Sequence, residues 1–229
     1  MSKIVYRLRL QDGQEFSFPI DLEAGAEAAL PEGGDPPPHW VRLETQQCKP
    51  CPLRPAQHPY CPAALAVRGI AESFGNHLSI ARVDVWVDTP QRSYYKNTDL
   101  QSALRSIFGL SMSLSGCPVL SRLKPLAYFH LPFATLEETI FRMVGAYLVK
   151  QYLIARRGEA EPDWQLQGVE RLYKEVETVN IAFLKRVRIA SQEDANINAV
   201  QAYCSIATLV GMSTNDILEE LAQMLMQGL

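Results

Sequence analysis

The chain has 229 residues, 47% of them hydrophobic and 21% charged, and carries a net charge of −3 at neutral pH. This composition can bury a sizeable core and excludes a chain disordered throughout, and the small negative charge supplies no global field for attracting nucleic acid. The opening Met1-Ser-Lys-Ile-Val-Tyr-Arg-Leu-Arg-Leu10 lacks the apolar run of a signal peptide, and no stretch reaches the ~18 apolar residues of a membrane span. The expectation is a cytoplasmic protein with neither a membrane nor a nucleic acid as partner.

Tyr6 to Leu10 and Glu15 to Ile20 alternate in polarity around Gln-Asp-Gly-Gln, which predicts a β-hairpin with an Asp-Gly turn. Residues 24 to 38 are rich in Gly and Pro and predict a loop. A strand is predicted over His39 to Thr45. Cys48 to Pro62 holds five prolines and reads as an irregular loop, followed by a short helix with Pro62 in its first turn. Alternation returns from Leu78 to Val87, and Arg92 to Lys96 reads as the returning strand.

After Thr98 the period becomes helical. Leu100, Leu104, Ile107, Phe108, Leu110 and Met112 share a face, and Gly116 stands where a C-terminal cap belongs. Thr135-Leu-Glu-Glu138 is a capping box that opens a long helix to about Arg157. Three further helices are predicted at 164–190, 193–210 and 214–227, the last begun by Ser213-Thr-Asn-Asp. The fold class is therefore α+β: a small N-terminal antiparallel sheet with a cysteine-bearing loop (1–98), and a C-terminal helical bundle (99–229), the two halves able to form one continuous domain.

The chemistry concentrates in the cysteines. Cys48-Lys-Pro-Cys51-Pro, Tyr60-Cys61-Pro and Gly116-Cys117-Pro supply four thiols, three of them followed directly by proline. Disulfides are rare in the cytosol, so clustered cysteines there read as metal-binding or redox-active. Four thiolates suit an iron–sulfur cluster or a zinc ion equally well by number. Proline after a cysteine removes the nearest backbone N–H, and Cys-Pro occurs at cluster ligands of bacterial ferredoxins, although the spacing here differs from theirs. The leading reading is a 4Fe-4S cluster on Cys48, Cys51, Cys61 and Cys117. Zinc on the same four is the alternative, and haem ligation by a Cys-Pro thiolate is a third. Cys204 lies in an apolar helical run and is read as a packing residue.

Among the histidines, His58 lies inside the cysteine loop, and His130 follows Cys117 within Tyr128-Phe-His-Leu-Pro-Phe133; both are candidates for groups supporting the metal site, and either could equally be an ordinary turn or core histidine. Glu137 and Glu138 point about 100° apart on a helix and cannot act on one atom, so Glu138 is assigned to the cap and to an ion pair with Arg142. Asn180, Arg186, Arg188, Asp194, Asn196 and Asn198 interrupt apolar stripes and read as a polar network between helices, or as the lining of a pocket. There is no Gly-rich phosphate loop, GxSxG elbow or HExxH helix.

Cys-x-x-Cys-Pro, Tyr-Cys-Pro-Ala, Thr-Asp-Leu-Gln, Ser-Gly-Cys-Pro-Val-Leu, His-Leu-Pro-Phe-Ala-Thr and Asp-Ala-Asn-Ile-Asn-Ala together resemble a family of uncharacterised bacterial proteins. The resemblance implies a bacterial cytosolic protein and no catalytic assignment. The expectation is a cluster-binding protein in electron transfer or in redox or gas sensing, with the bundle serving as a protein-partner or homodimer surface. A zinc-stapled interaction module, or an enzyme with an open iron site, would use the same cysteines.

Overall fold

The computed structural model describes residues 3–23 and 36–227. The alternation along β1 (Lys3–Leu10) turns Ile4, Tyr6, Leu8 and Leu10 to one buried face. Gly13, at φ 88°, closes the turn into β2 (Glu15–Asp21), as the Asp-Gly signal predicts, and the Asp12 carboxylate accepts the Gln14 N–H at 2.9 Å. β3 (Arg82–Asp88) and β4 (Ser93–Asp99) form the second hairpin, and the sheet runs β2-β1-β3-β4, antiparallel throughout. Val83, Val85 and Val87 share the buried face with β1. The opposite face is polar, with Asp84 and Asp88 paired to Arg9 and Arg7.

The buried face rests on helices. α1 (Pro62–Phe74) begins with proline, as predicted. β4 runs directly into α2 (Leu100–Leu114), whose first turn is capped by the Asp99 side chain accepting the Ser102 N–H at 2.9 Å. α2 is buried on nearly every side because it touches the sheet, α1 and α6 (Ala195–Gln227) at once. A 3-10 turn, Leu120–Leu123, leads through the short α3 (Lys124–Tyr128) to α4 (Leu136–Arg156), whose capping box forms as predicted. Glu138 accepts the Thr135 N–H at 2.8 Å there, while Arg142 makes no ion pair with it and donates instead to the carbonyls of Leu126 and Phe129. α5 (Gln167–Ala190) packs along α6. One cluster of buried side chains runs from Ile4 to Ile217, through sheet and helices alike. The α+β class is as the sequence predicts.

Two predicted elements are corrected. His39 to Thr45 is a 3-10 turn over His39–Val41 followed by a single bridge between Arg42 and Tyr60. Trp40, Val41 and Leu43 are buried, so the segment packs as an irregular wall against α1 and α5 and adds no strand to the sheet. The helices predicted at 193–210 and 214–227 are one helix of 33 residues. The Thr214 hydroxyl bonds back to the Val210 carbonyl and caps no new helix, and Gly211 provides the close approach at which a Cβ would stand 3.4 Å from Tyr173 of α5. Packing of α6 along α5 thus overrides the local stop signal. The loop predicted at 24–38 falls, for residues 24–35, outside the described residues. Among the described residues no helix is long and apolar enough to cross a membrane.

Candidate functional site

The cysteine loop is an Ω-like excursion closed at its stem. The Leu43 N–H donates to the Pro59 carbonyl at 2.9 Å and the Cys61 N–H to the Val41 carbonyl at 2.8 Å. Inside it the Cys48 carbonyl accepts the Cys51 N–H at 3.0 Å, so the CxxC segment is a tight turn, and Gln47 donates to the Leu53 carbonyl at 2.9 Å. Five prolines leave this backbone few donors and fix several of its φ angles, which keeps it irregular yet ordered. Cys61 is the N-cap residue of α1, and its side chain makes no capping hydrogen bond.

Cys117 arrives from elsewhere. Gly116, at φ 79°, takes the left-handed position just past the C-cap of α2 and turns the chain so that Cys117 is buried. Pro118 has no N–H, and the backbone N–H groups of Leu120 and Val119 favour the Cys117 thiolate against the effect of burial. The Cys117 carbonyl accepts the Ser121 N–H at 2.9 Å, which anchors the turn.

Cys48, Cys51, Cys61 and Cys117 line one cavity of about 20 Å³, closed by Leu43 from the loop stem and by Val179, Phe183 and Arg186 of α5. All four thiols are free. They surround the space without closing into a coordination sphere: among the described residues no group of three or more His, Cys, Asp or Glu side chains is arranged to hold a metal ion. Burial, reinforced by the other three thiols, pushes the Cys48 thiol up to about 12, and burial likewise raises Cys117. As bare thiols Cys48 and Cys117 keep their protons at neutral pH, and any metal that loads the site must displace them.

Among the described residues Arg186 is the only charged side chain lining this cavity. It is 2% exposed and forms no ion pair among the described residues. One guanidinium nitrogen, Nη1, donates to the Trp40 carbonyl at 2.6 Å and to the Arg42 carbonyl; Nη2 reaches the Leu43 carbonyl at 3.3 Å. It therefore pins the loop stem to α5 with neutral acceptors only. Burial lowers its pKa, and the ionisable groups that oppose this are Cys61, Cys48 and Cys51. A buried cation with no carboxylate is costly unless a negative charge stands near it, and here the neighbours able to carry one are the thiols. Sequence reading placed Arg186 in a polar network and missed this role. The available signal was a lone arginine among Val176, Val179, Phe183 and Val187, the buried stripe of α5.

The other candidates lie apart from the thiols. His58 is exposed on the loop, and Cys204 sits on α6. The wholly buried Tyr6 hydroxyl is hydrogen-bonded to His130 Nε2 at 2.5 Å and to the Ser106 hydroxyl at 2.7 Å. The predicted polar network exists in part: Asp194 accepts from the Ser79 N–H and hydroxyl and from Asn198, and Asn196 donates to the Ala71 carbonyl at 2.9 Å. Asn180 is wholly buried with neither side-chain atom bonded, and Lys185 and Arg188 are exposed.

Burial, helped by the charge of Arg142, pushes the His130 imidazole down to about 3. The unfolded chain titrates near ~6.5 and so binds the proton more readily. The stability contributed by the neutral ring is present above that pH and is lost as pH falls from about 6.5 toward 3, at no more than ~1.4 kcal/mol per pH unit. Urea unfolding from pH 7 to pH 4 should show a steeper fall for the wild type than for His130→Asn; parallel curves would remove His130 as the titrating group.

Fold and site together define an α+β protein in which four thiols from two distant segments face one small cavity beside a buried arginine. The chain belongs to the family described as a domain of unknown function, DUF6901, whose model matches residues 4–226. No curated protein and no solved structure matches it.

Proposed function

We propose that Cys48, Cys51, Cys61 and Cys117 bind an iron–sulfur cluster, and that the protein works in electron transfer or in redox sensing. The observation that carries this is the convergence of four thiols on one void beside Arg186. Four thiolates serve a zinc ion or a cluster equally by number, and the proline after Cys51, Cys61 and Cys117 is the flank found at cluster ligands of bacterial ferredoxins. Four thiolates around a cubane cluster leave a net negative site, for which Arg186 is the adjacent counter-charge. The Val119 and Leu120 N–H groups would bond to the Cys117 thiolate, a contact that tunes cluster potentials. Bound there, the cluster would supply one-electron chemistry.

The helical half exposes Phe141, Val149 and Tyr152 on α4 and Met212, Met224 and Met226 on α6. These apolar side chains support a protein-partner or homodimer surface on the bundle, the exchange partner an electron carrier needs. Anaerobic purification followed by iron, sulfide and zinc analysis tests the cluster. The expected result is a brown protein with about four iron and four sulfide per chain; a colourless protein with one equivalent of zinc, or with no metal, overturns it.

A further inference from the structure

A second cavity, of about 120 Å³, lies between α2, α3, α4 and α6 and shares no lining residue with the thiol site. It holds roughly ten times the space one water requires. Its walls are mostly apolar, with Leu110, Leu126 and Phe133 among them, yet two arginines, Arg105 and Arg142, line it. Neither forms an ion pair among the described residues. The carboxylates that act on them are engaged elsewhere: Asp99 caps α2, and Glu138 closes the capping box of α4. Arg142 uses only Nη2, on the carbonyls of Leu126 and Phe129, which leaves its other nitrogens for a ligand. Arg105 bonds to no described acceptor. Burial lowers the pKa of both guanidinium groups, the mark of cations held in a poorly solvated place without counter-charge.

From these walls we infer that this cavity binds a small organic carboxylate with a short apolar body. The two oxygens of a carboxylate match the planar donor forks of arginine, and the apolar remainder matches Leu110, Leu126 and Phe133. A phosphate, with more oxygens to satisfy, would want a cluster of backbone N–H donors in a wall that is here apolar. The Ser106 hydroxyl and His130 also line the cavity but are already bonded to Tyr6, so they shape it while the arginines supply the charge. The proposal stands independently of the cluster.

Isothermal titration of the full-length protein with straight-chain monocarboxylates from butanoate to octanoate tests it, with inorganic phosphate and octan-1-ol as comparison probes. The expected result is one saturable carboxylate site, much weaker binding of phosphate and of the alcohol, and an affinity at least ~10-fold lower in Arg105→Gln, since a charge-assisted hydrogen bond contributes ~1.5–3 kcal/mol. Arg105 makes no bond to a described residue, so this variant is expected to melt as the wild type does. Arg105→Lys, which keeps the charge and loses the fork, should fall between the two. No saturable carboxylate binding, binding of octan-1-ol as tight as octanoate, tighter binding of phosphate, or unchanged affinity in Arg105→Gln would each overturn the assignment.

Discussion

Cys117→Ser is expected to lower metal retention by at least ~100-fold, because even groups that only support a ligand are worth 10–100-fold. The same loss is expected for Cys48→Ser, Cys51→Ser and Cys61→Ser, whereas Cys204→Ser should keep full metal, since Cys204 lies on α6 outside the cavity. Cys117 is the informative position. The other three belong to one loop whose stem is closed by its own backbone hydrogen bonds, and that loop could hold three thiols together unaided. Cys117 comes from the turn after α2, so a group bound to all four would tie the loop to the helical core. Its loss should therefore also lower the melting temperature of the loaded protein, and chelation should reproduce that shift in the wild type. Full iron content and unchanged melting in Cys117→Ser would reduce the site to three cysteines and favour an open iron position.

The second large effect is expected at Arg186. Arg186→Met removes the donors that Arg186 supplies to the carbonyls of Trp40, Arg42 and Leu43 together, of which the Arg42 carbonyl keeps the Thr45 N–H at 3.2 Å. An orphaned buried polar group costs ~1–3 kcal/mol, so the metal-free variant should lose on the order of 3 kcal/mol, a large part of the stability of an ordinary domain. In the loaded protein the same change removes the cation beside the thiols. A negative cluster without it is harder to reduce, so the midpoint potential should move to more negative values. Arg186→Lys retains a charge without the fork, and should recover more of the potential than of the stability. Thermal melts of metal-free protein and redox titration of loaded protein separate the two roles. A potential unmoved in Arg186→Met would leave Arg186 as a clasp for the loop stem alone.

The thiol loop shows what sequence could and could not reveal. The CxxC spacing, the prolines and the glycine ahead of Cys117 are local signals, and each describes its own few residues. That Cys117 folds back toward Cys51 is a long-range fact, carried by the way α2 lies under the sheet and against α1. Arg186 was legible as an oddity in an apolar stripe and nothing more, because its three acceptors lie more than 140 residues earlier. The arginine-lined cavity left no motif at all. Arg105 and Arg142 belong to different helices, and nothing in the residues around either one relates it to the other.

The errors have the same origin. Ser213-Thr-Asn-Asp is a sound helix-start signal, and His39 to Thr45 has the β-branched and aromatic content of a strand. Both were overruled by neighbours: α6 packs along α5, closely at Gly211 against Tyr173, and the sheet ends at β2 and β4 without taking up the segment.

By itself, then, the sequence determined the two hairpins, the caps of α2 and α4, the α+β class and the four thiols, since periodicity, turn chemistry and capping act within a few residues. Tertiary structure alone decided that those thiols share a cavity, that a buried arginine faces them, and that two further arginines line a second one. Burial and charge balance depend on which distant surfaces meet, and no short-range pattern encodes that.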